Sequence, residues 1–329
     1  MNGLILKFFF ILFIPYLLLI TFIKSNDKIQ KLFSTKNFIN VAYAVDNNYY
    51  FIAHVSMKSI MLNQKNNTFI KFFILISSKF NKNKKVINKI CLEHKNCNIT
   101  YLEIGKDFKN LNTKIWSTAI FFRLKLQILL KNEKKILYFD CDTLIYKDLN
   151  KIYNYNIDNK YYIGMQEHVH RNLKKFGVKF YIFINTGVML INLEKLRKDN
   201  VFKKIKHFLI KYNNEINYPD QDSINMICHE NNGYFPPKYV TWGYCNLQLI
   251  DDYINSLIIK PKKKEIIKSY KDPYIYHLMG YKNKPWNGIP NKKGFICYDQ
   301  ITRFYEYARK TTYYYEILEK YKIIKKNIN

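Results

Sequence analysis

The sequence has no pair of cysteines at the Cys-x-x-Cys spacing that is typical of structural zinc sites. Its six cysteines are scattered over 329 residues, at positions 91, 97, 141, 228, 245 and 297. This pattern gives no support to a zinc cluster. A disulfide scaffold is unnecessary as well, because a chain of this length and apolar content can bury a hydrophobic core.

Acidic residues are scarce: 25 Asp and Glu face 54 Lys and Arg, for a formal net charge of +29. The sequence nevertheless lacks a dense basic helix and an aromatic RNA-binding signature, and its lysines are dispersed among Asn, Ile and Tyr. We therefore predict no nucleic-acid partner. The positive field would still favour a phosphate-bearing substrate or an anionic membrane surface.

A small-residue cleavage site is missing after the apolar run at residues 3–23, which only Lys7 and Pro15 interrupt. The run is long for the apolar region of a signal peptide and matches the length that spans a bilayer. We expect an uncleaved single-pass anchor over residues 1–24 and hence a membrane localisation. Its orientation stays open, because the lysines at 24, 28, 31 and 36 favour a cytosolic body whereas glycosylation sequons at 66–68 and 98–100 favour a lumenal one.

Strand-like and helix-like patterns alternate after a polar linker at 25–38, without internal repeats or a second domain. They include strands at Asn40–Val45 and Phe69–Ile76 and helices from about Tyr50 to Asn63 and near 118–131, whereas residues 232–272 are rich in loops. This order predicts one α/β domain over 39–299, Rossmann-like, with a mainly parallel sheet flanked by helices. Ligands of such sheets bind at the carboxyl ends of the strands. The tail, 300–329, is basic and aromatic with helical spacing, and could either lie on a membrane or pack back on the core.

The segment 136–146, ILYFDCDTLIY, is an apolar strand that ends in two carboxylates, Asp140 and Asp142. Unpaired charges are costly to bury, so these side chains need a cation beside them. A hard divalent cation such as Mn²⁺ or Mg²⁺ would satisfy both. Cys141, between them, has the character of a small buried filler rather than a nucleophile.

Four groups of residues together resemble glycosyltransferase family 8, a retaining family that includes bacterial lipopolysaccharide galactosyltransferases and glycogenin. They are VAYAVDNNY at 41–49, FFRLKL at 121–126 with LYFDCDTLI at 137–145, INTGVMLINLEKLR at 184–197 with YPDQDSIN at 218–225, and YHLMGYKNKPW at 276–286. The resemblance implies a GT-A fold and transfer of a hexose from a UDP-sugar to a glycan or glycolipid acceptor. It also implies a Mn²⁺ ion bridging the donor diphosphate.

In this resemblance Asp140 and Asp142 match the Asp-x-Asp motif, and His277 matches the third protein ligand of the metal. Two carboxylates and an imidazole suit Mn²⁺. Taken alone, His277 would be an ordinary strand-end histidine, but Gly280 and Lys284 follow it as in the family's closing loop. That loop has one residue more than is usual, so that either Lys282 or Lys284 could reach the diphosphate.

The remaining matches are expected to bind the donor. Asp46, Asn48 and Tyr49 match positions around the uridine, although Asp46 could simply cap a helix. Arg123 matches an arginine near the sugar or the diphosphate, with a solvated helix face as the alternative. Cys141 lies between Asp140 and Asp142, and we expect it to be one of the donor-binding residues as well.

Asn185, Asp220 and Gln221 match positions that contact the donor sugar and its anomeric carbon. The aspartates beside Pro219 could instead serve only to start a helix, but capping does not explain Gln221. An amide is a poor nucleophile, so we assign Gln221 to orienting and stabilising an oxocarbenium-like state, with Asp220 and Arg123 as its catalytic neighbours.

Two other functions compete with this interpretation. Residues 140–144, DCDTL, partly match the motif of haloacid-dehalogenase phosphatases, in which the first aspartate is phosphorylated. That motif has one more residue before its threonine and lies on the first strand of its domain, whereas DCDTL here follows the fourth predicted strand. A membrane-anchored, inactive sugar-nucleotide-binding protein is the other alternative, and the intact set of metal ligands argues against it.

Overall fold

The structure is a computed structural model and describes residues 37–242, 249–279, 284–287 and 298–321. The predicted anchor (1–24), residues 25–36 of the predicted linker, and residues 280–283 of the closing loop, among them Gly280 and Lys282, lie outside these ranges. The prediction of a single-pass membrane localisation is contradicted, because none of the described helices could cross a bilayer. The longest of them has 14 residues, fewer than the ~20 that a span requires.

The strands form one seven-stranded sheet and one small three-stranded sheet. They are β1 (Asn37–Ala44), β2 (Thr68–Ile76), β3 (Cys97–Glu103), β4 (Lys135–Phe139), β5 (Thr143–Ile145), β6 (Tyr162–Gln166), β7 (Ile184–Asn192), β8 (Asn232–Phe235), β9 (Val240–Trp242) and β10 (Ile275–His277). The large sheet has the order β3-β2-β1-β4-β7-β6-β8, and the small sheet has the order β5-β10-β9.

The large sheet is mainly parallel, as predicted. β1 pairs in parallel with β2 and β4, β2 with β3, and β6 with β8, whereas β7 is antiparallel to both its neighbours. Six strands therefore end at the edge of the sheet where β7 begins. That edge collects the residues that follow β1, β4 and β6 together with the first residues of β7.

Helices flank the sheet. The α-helices are α1 (Tyr50–Asn63), α2 (Lys84–Glu93), α3 (Leu126–Leu129), α4 (Asn150–Tyr153), α5 (Leu193–Lys198), α6 (Val201–Tyr212), α7 (Pro219–Cys228), α8 (Leu249–Ser256), α9 (Lys263–Lys271), α10 (Tyr298–Ala308) and α11 (Tyr314–Lys320). Short 3₁₀ helices occupy Ser78–Asn83, Thr118–Lys125, Arg171–Phe176 and Pro285–Asn287.

Two hydrophobic clusters cover the two faces of the sheet, and alternate side chains of each strand enter opposite clusters. In β4, Leu137 and Phe139 lie in one cluster, and Ile136 and Tyr138 lie in the other. Burial on both faces explains why this strand is an unbroken apolar run. The partly exposed Lys135 begins the strand, and the carboxylates of Asp140 and Asp142 come only after it ends.

Three features of the fold differ from the prediction or were left open by it. The helix expected near 118–131 is a 3₁₀ helix followed by the short α3. The region 232–272, expected to be mostly loop, contains two strands and two helices. The described part of the C-terminal tail packs back on the core: Tyr307 donates a hydrogen bond to the Ile145 carbonyl, and Lys320 donates one to that of Asn47.

Cys91, in α2, and Cys97, at the start of β3, form a disulfide. The bond links the end of the helix to the strand that follows it. Because the two cysteines are six residues apart and the spacing fits no familiar motif, the sequence did not predict it.

Candidate active site

Two carboxylates and one imidazole converge at the edge of the sheet. Asp140 and Asp142 lie in the connection between β4 and β5, and His277 ends β10, which pairs with β5 so that His277 lies opposite Thr143. One potential ligand atom from each of the three lies within 4.8 Å of the others. The Nε2 atom of His277 is 3.2 Å from Oδ1 of Asp142. This donor set of two oxygens and one nitrogen fits Mn²⁺.

Gly187 makes this convergence possible. The register of β4 and β7 places it beside Asp140, whose N–H donates to the Gly187 carbonyl at 2.7 Å. A Cβ atom at position 187 would lie 2.2 Å from Cε1 of His277 and 2.8 Å from Oδ2 of Asp140. Any side chain there would displace the imidazole, so the glycine is required by the close approach of β7 to the site.

Arg123 lies between two carboxylates of the site, those of Asp140 and Asp220. Its guanidinium donates to Oδ1 of Asp140 at 2.7 Å and to the Thr186 carbonyl at 2.6 Å, and it lies 3.3 Å from Oδ2 of Asp220. Burial works against its charge, but the neighbouring carboxylates, Asp140 first, outweigh burial and raise the pKa of Arg123. Arg123 is thus a buried permanent cation, not the solvated side chain that the sequence left as an alternative.

Lys284 forms an ion pair with Oδ2 of Asp142 and donates to the carbonyl of Leu278. Burial would raise the pKa of Asp142, but Lys284 and His277 outweigh it and hold the pKa well below its usual range. Burial raises the pKa of Asp220, an effect that Arg123 only partly offsets. The surroundings of Asp142 therefore favour its charged form, whereas those of Asp220 favour its protonated form.

The predicted nucleotide residues lie beside the carboxylate pair. Oδ1 of Asp46 accepts from the backbone N–H of Asn48 at 2.8 Å and of Tyr49 at 3.0 Å, which makes the turn that precedes α1. The ring of Tyr49 meets that of Trp286 edge to face at 5.9 Å. Cys141 is buried, donates to the Ala44 carbonyl at 3.3 Å, and has its pKa raised by burial. Cys141 is therefore a packed thiol and not a nucleophile.

Gln221 lies in the first turn of α7 with every polar atom of its amide engaged. Its carbonyl oxygen accepts from Nδ2 of Asn185 and from the N–H of Thr186, both at 3.2 Å. Its Nε2 donates to Oε2 of Glu167 at 3.1 Å. Asp220, the preceding residue, accepts from the Thr186 hydroxyl at 3.3 Å. The network holds the amide in one orientation.

Sequence reasoning missed Glu167 and His170. Glu167 directly follows β6, and its Oε2 accepts from Asn185 as well as from Gln221. Burial lowers the pKa of His170, but Asp222 and Glu167 outweigh it and raise the pKa to about 9. The signal was available, because Glu167 is a polar residue at the end of a strand in the same sheet as β4.

Comparison with known proteins gives the site a context. The family model described as Glycosyl transferase family 8 matches residues 40–289. A putative glycosyltransferase of Haemophilus influenzae is 32% identical over 200 residues, which is 58% of this chain and 59% of that relative. The alignment thus covers less than two thirds of that relative. A lipopolysaccharide 1,2-glucosyltransferase of Escherichia coli is 27% identical over 263 residues, 77% of this chain and 74% of the relative.

Among solved structures, the galactosyltransferase LgtC in complex with donor and acceptor sugar analogs superposes with a TM-score of 0.69 at 22% identity. The match covers 83% of this chain and 96% of LgtC. At that identity the likeness shows the fold alone, and it confirms the GT-A-like fold. Neither the phosphatase nor the inactive binding protein considered from the sequence is favoured by these findings.

Proposed function

The chain belongs to glycosyl transferase family 8 and is a glycosyltransferase, and we propose that it transfers a hexose from a UDP-sugar to a glycan or glycolipid acceptor with retention of configuration. Two similar proteins support the sugar donor and the acceptor class: the Escherichia coli protein is a lipopolysaccharide glucosyltransferase, and LgtC was solved with donor and acceptor sugar analogs.

The observation that carries the proposal is the convergence of Asp140, Asp142 and His277 beside two buried cations, Arg123 and Lys284. Mn²⁺ fits this donor set, and when bound it would supply Lewis-acid stabilisation of the charge that builds on a departing diphosphate. The two side-chain cations serve the same end, because a phosphate-bearing leaving group needs fixed positive charge close to its oxygens.

Binding of the donor falls to three groups of side chains in this proposal. Asn48 and Tyr49, held in the turn at Asp46, bind the base and ribose. Lys284 exchanges its partner Asp142 for a diphosphate oxygen when the donor enters. Arg123 stays in place, because its contacts to Asp140, Asp220 and Thr186 come from three different elements.

Gln221 is assigned to the sugar side of the reaction. Its amide is anchored by Asn185, Thr186 and Glu167, so its dipole is fixed before the substrate arrives. A preorganised dipole stabilises a developing charge without reorganisation. The carbonyl oxygen, with two donors already bound, is poorly suited to attack carbon, which supports an orienting role.

A donor screen tests the proposal. Purified protein is incubated with a panel of UDP-sugars and Mn²⁺, and release of UDP is measured before and after chelation. We expect one or two donors to be used and activity to be lost on chelation and regained with Mn²⁺. Asp142→Ala and His277→Ala should reduce turnover at least 100-fold, a typical cost of losing a charge-stabilising group.

Asp158→Ala provides the matched control, because Asp158 is an exposed aspartate away from the sheet edge. It should retain wild-type turnover. Undiminished UDP release in chelated protein, or in both ligand variants, would contradict the assigned site while leaving the family membership intact.

A further inference from the structure

A second group of metal-binding side chains lies beyond the end of β6. Glu167, His168 and His170 each offer one ligand atom, and these atoms lie within 4.8 Å of one another. Oε1 of Glu167 is 3.9 Å from Nδ1 of His168 and 3.8 Å from Nε2 of His170. Separations of this size are too long for hydrogen bonds. They suit side chains that surround a common ion.

His170 is oriented by a buried carboxylate on its other nitrogen. Its Nδ1 is 2.6 Å from Oδ1 of Asp222, a side chain with no exposed surface that also accepts from the backbone N–H groups of Asn217 and Tyr218. This carboxylate-histidine pairing is the arrangement by which proteins fix the ring of a metal-bound histidine. It leaves Nε2 directed toward Glu167.

The two carboxylate oxygens of Glu167 contact different side chains. Oε2 accepts from Asn185 and Gln221, and Oε1 is the atom that approaches the two histidines. With Asp222 the cluster has two buried carboxylates. A divalent cation would compensate both charges, and a charge buried without compensation is costly.

We propose that Glu167, His168 and His170, supported by Asp222, form a zinc-binding site that is distinct from the site at Asp140, Asp142 and His277. Two imidazoles and one carboxylate favour Zn²⁺, whereas two carboxylates and one imidazole favour Mn²⁺. The zinc site would be of the kind that cysteine spacing cannot reveal, since it contains no thiolate.

The geometry allows zinc to enter with small adjustments. Zinc–ligand distances of roughly 2.0–2.2 Å place neighbouring tetrahedral ligands about 3.4 Å apart. Oε1 of Glu167 must therefore approach each imidazole nitrogen by about half an ångström, and the two imidazole nitrogens, which lie within 4.8 Å of each other, must adjust as well. The side chain of His168 is 48% exposed and can move to meet the ion. A fourth position remains for water or a hydroxyl group. Bound zinc would also fix Glu167 and, through it, the amide of Gln221.

Zinc binding can be counted directly by titration against a chromophoric chelator. The full chain should bind two equivalents of Zn²⁺, because Zn²⁺ should also bind at the proposed manganese site formed by Asp140, Asp142 and His277. Asp142→Asn should remove one equivalent, and His168→Ala in that background should weaken the other at least tenfold. Asp222→Asn should weaken it ~10–100-fold, as loss of a supporting carboxylate does.

His207→Ala is the matched control, since His207 is also an exposed histidine but lies on α6 away from the cluster. It should leave both equivalents unchanged. Circular dichroism and thermal unfolding report whether each variant is folded. If Asp222→Asn does not fold, the zinc affinity of the His168→Ala variant still tests the site, because His168 is half-exposed and its substitution should not disturb folding.

The proposal is overturned if the Asp142→Asn protein takes up no zinc, or if His168→Ala leaves its zinc affinity unchanged. The outcome is independent of the proposed transferase chemistry. A donor screen without turnover would leave the zinc count unaffected, and a missing zinc site would leave the results of chelation and of the Asp142→Ala and His277→Ala variants, which test the transferase proposal, to stand by themselves.

Discussion

The backbone of Gly187 passes so close to the imidazole of His277 that a methyl group on it would lie 2.2 Å from Cε1. The strand carrying the glycine and the strand carrying the histidine belong to different sheets. The contact therefore sets how far the small sheet can approach the large one, and with it the distance between His277 and Asp140.

This contact makes Gly187→Ala a sharp test of the site. The new methyl group must push His277 away from Asp140, so we expect Mn²⁺ affinity and UDP release to fall at least 100-fold. Titration with Mn²⁺ and the donor assay measure the two effects. Gly105→Ala is the control, because a Cβ there meets no atom within 4 Å. Normal Mn²⁺ affinity in Gly187→Ala would show that His277 is not a ligand.

Arg123→Met should destabilise the protein. The substitution leaves Asp140 and Asp220 without their shared cation in a buried site, and breaking such a pair costs about 3 kcal/mol or more. Denaturant unfolding measures the loss. Asp220→Asn combined with Arg123→Met should recover part of it by removing one unpaired charge. Arg309→Met, on an exposed arginine, should change the unfolding free energy by less than about 0.5 kcal/mol.

Lys284→Met should make the stability of the protein depend on metal. Without the ammonium group, Asp142 loses its ion pair and retains the contact of 3.2 Å to Nε2 of His277, so metal-free protein should melt at a lower temperature than wild type. Mn²⁺ should then raise the melting temperature more in the variant than in wild type, since no lysine competes for Oδ2. Lys263→Met, on an exposed lysine, is the control. Equal Mn²⁺-induced shifts would contradict competition between Lys284 and the metal.

His54 should make the protein acid-sensitive. It is fully buried in α1, and burial is the main reason that its pKa falls from 6.5 to about 4, with smaller effects from Glu93, Lys58 and His94 and with Tyr313 packed on its ring. Between those two pKa values the unfolded chain binds more protons than the folded one. The free energy of unfolding should thus decrease by about 3 kcal/mol as the pH falls from 6.5 to 4.

Urea unfolding at a series of pH values measures this decrease. His54→Leu removes the titrating group and should flatten the profile between pH 4 and 6.5, whereas His207→Gln, on an exposed histidine, should follow wild type. A profile in His54→Leu as steep as that of wild type would assign the acid sensitivity to other groups.

Much of the fold followed from local patterns. The predicted helix from about Tyr50 to Asn63 has those bounds in the structure, and the strands before and after it begin within a few residues of their predicted positions. These elements are predictable because the period-two spacing of strands and the period-3.6 spacing of helices depend only on residues that are close together in the sequence. Arg123 was less predictable, because a cation on a helical turn has the same local pattern whether it is buried or solvated.

The sequence by itself determined the α/β class, the position of the two aspartates at the end of an apolar strand, and the family resemblance that named His277. Only the tertiary structure decided that the start of β7 lies beside the end of β4, that Gly187 must have no side chain, and that Glu167 and His170 lie next to Gln221. Local spacing encodes which face of a strand is apolar. Which strand ends meet is decided by how the sheets pack, and that depends on contacts between residues far apart in the chain.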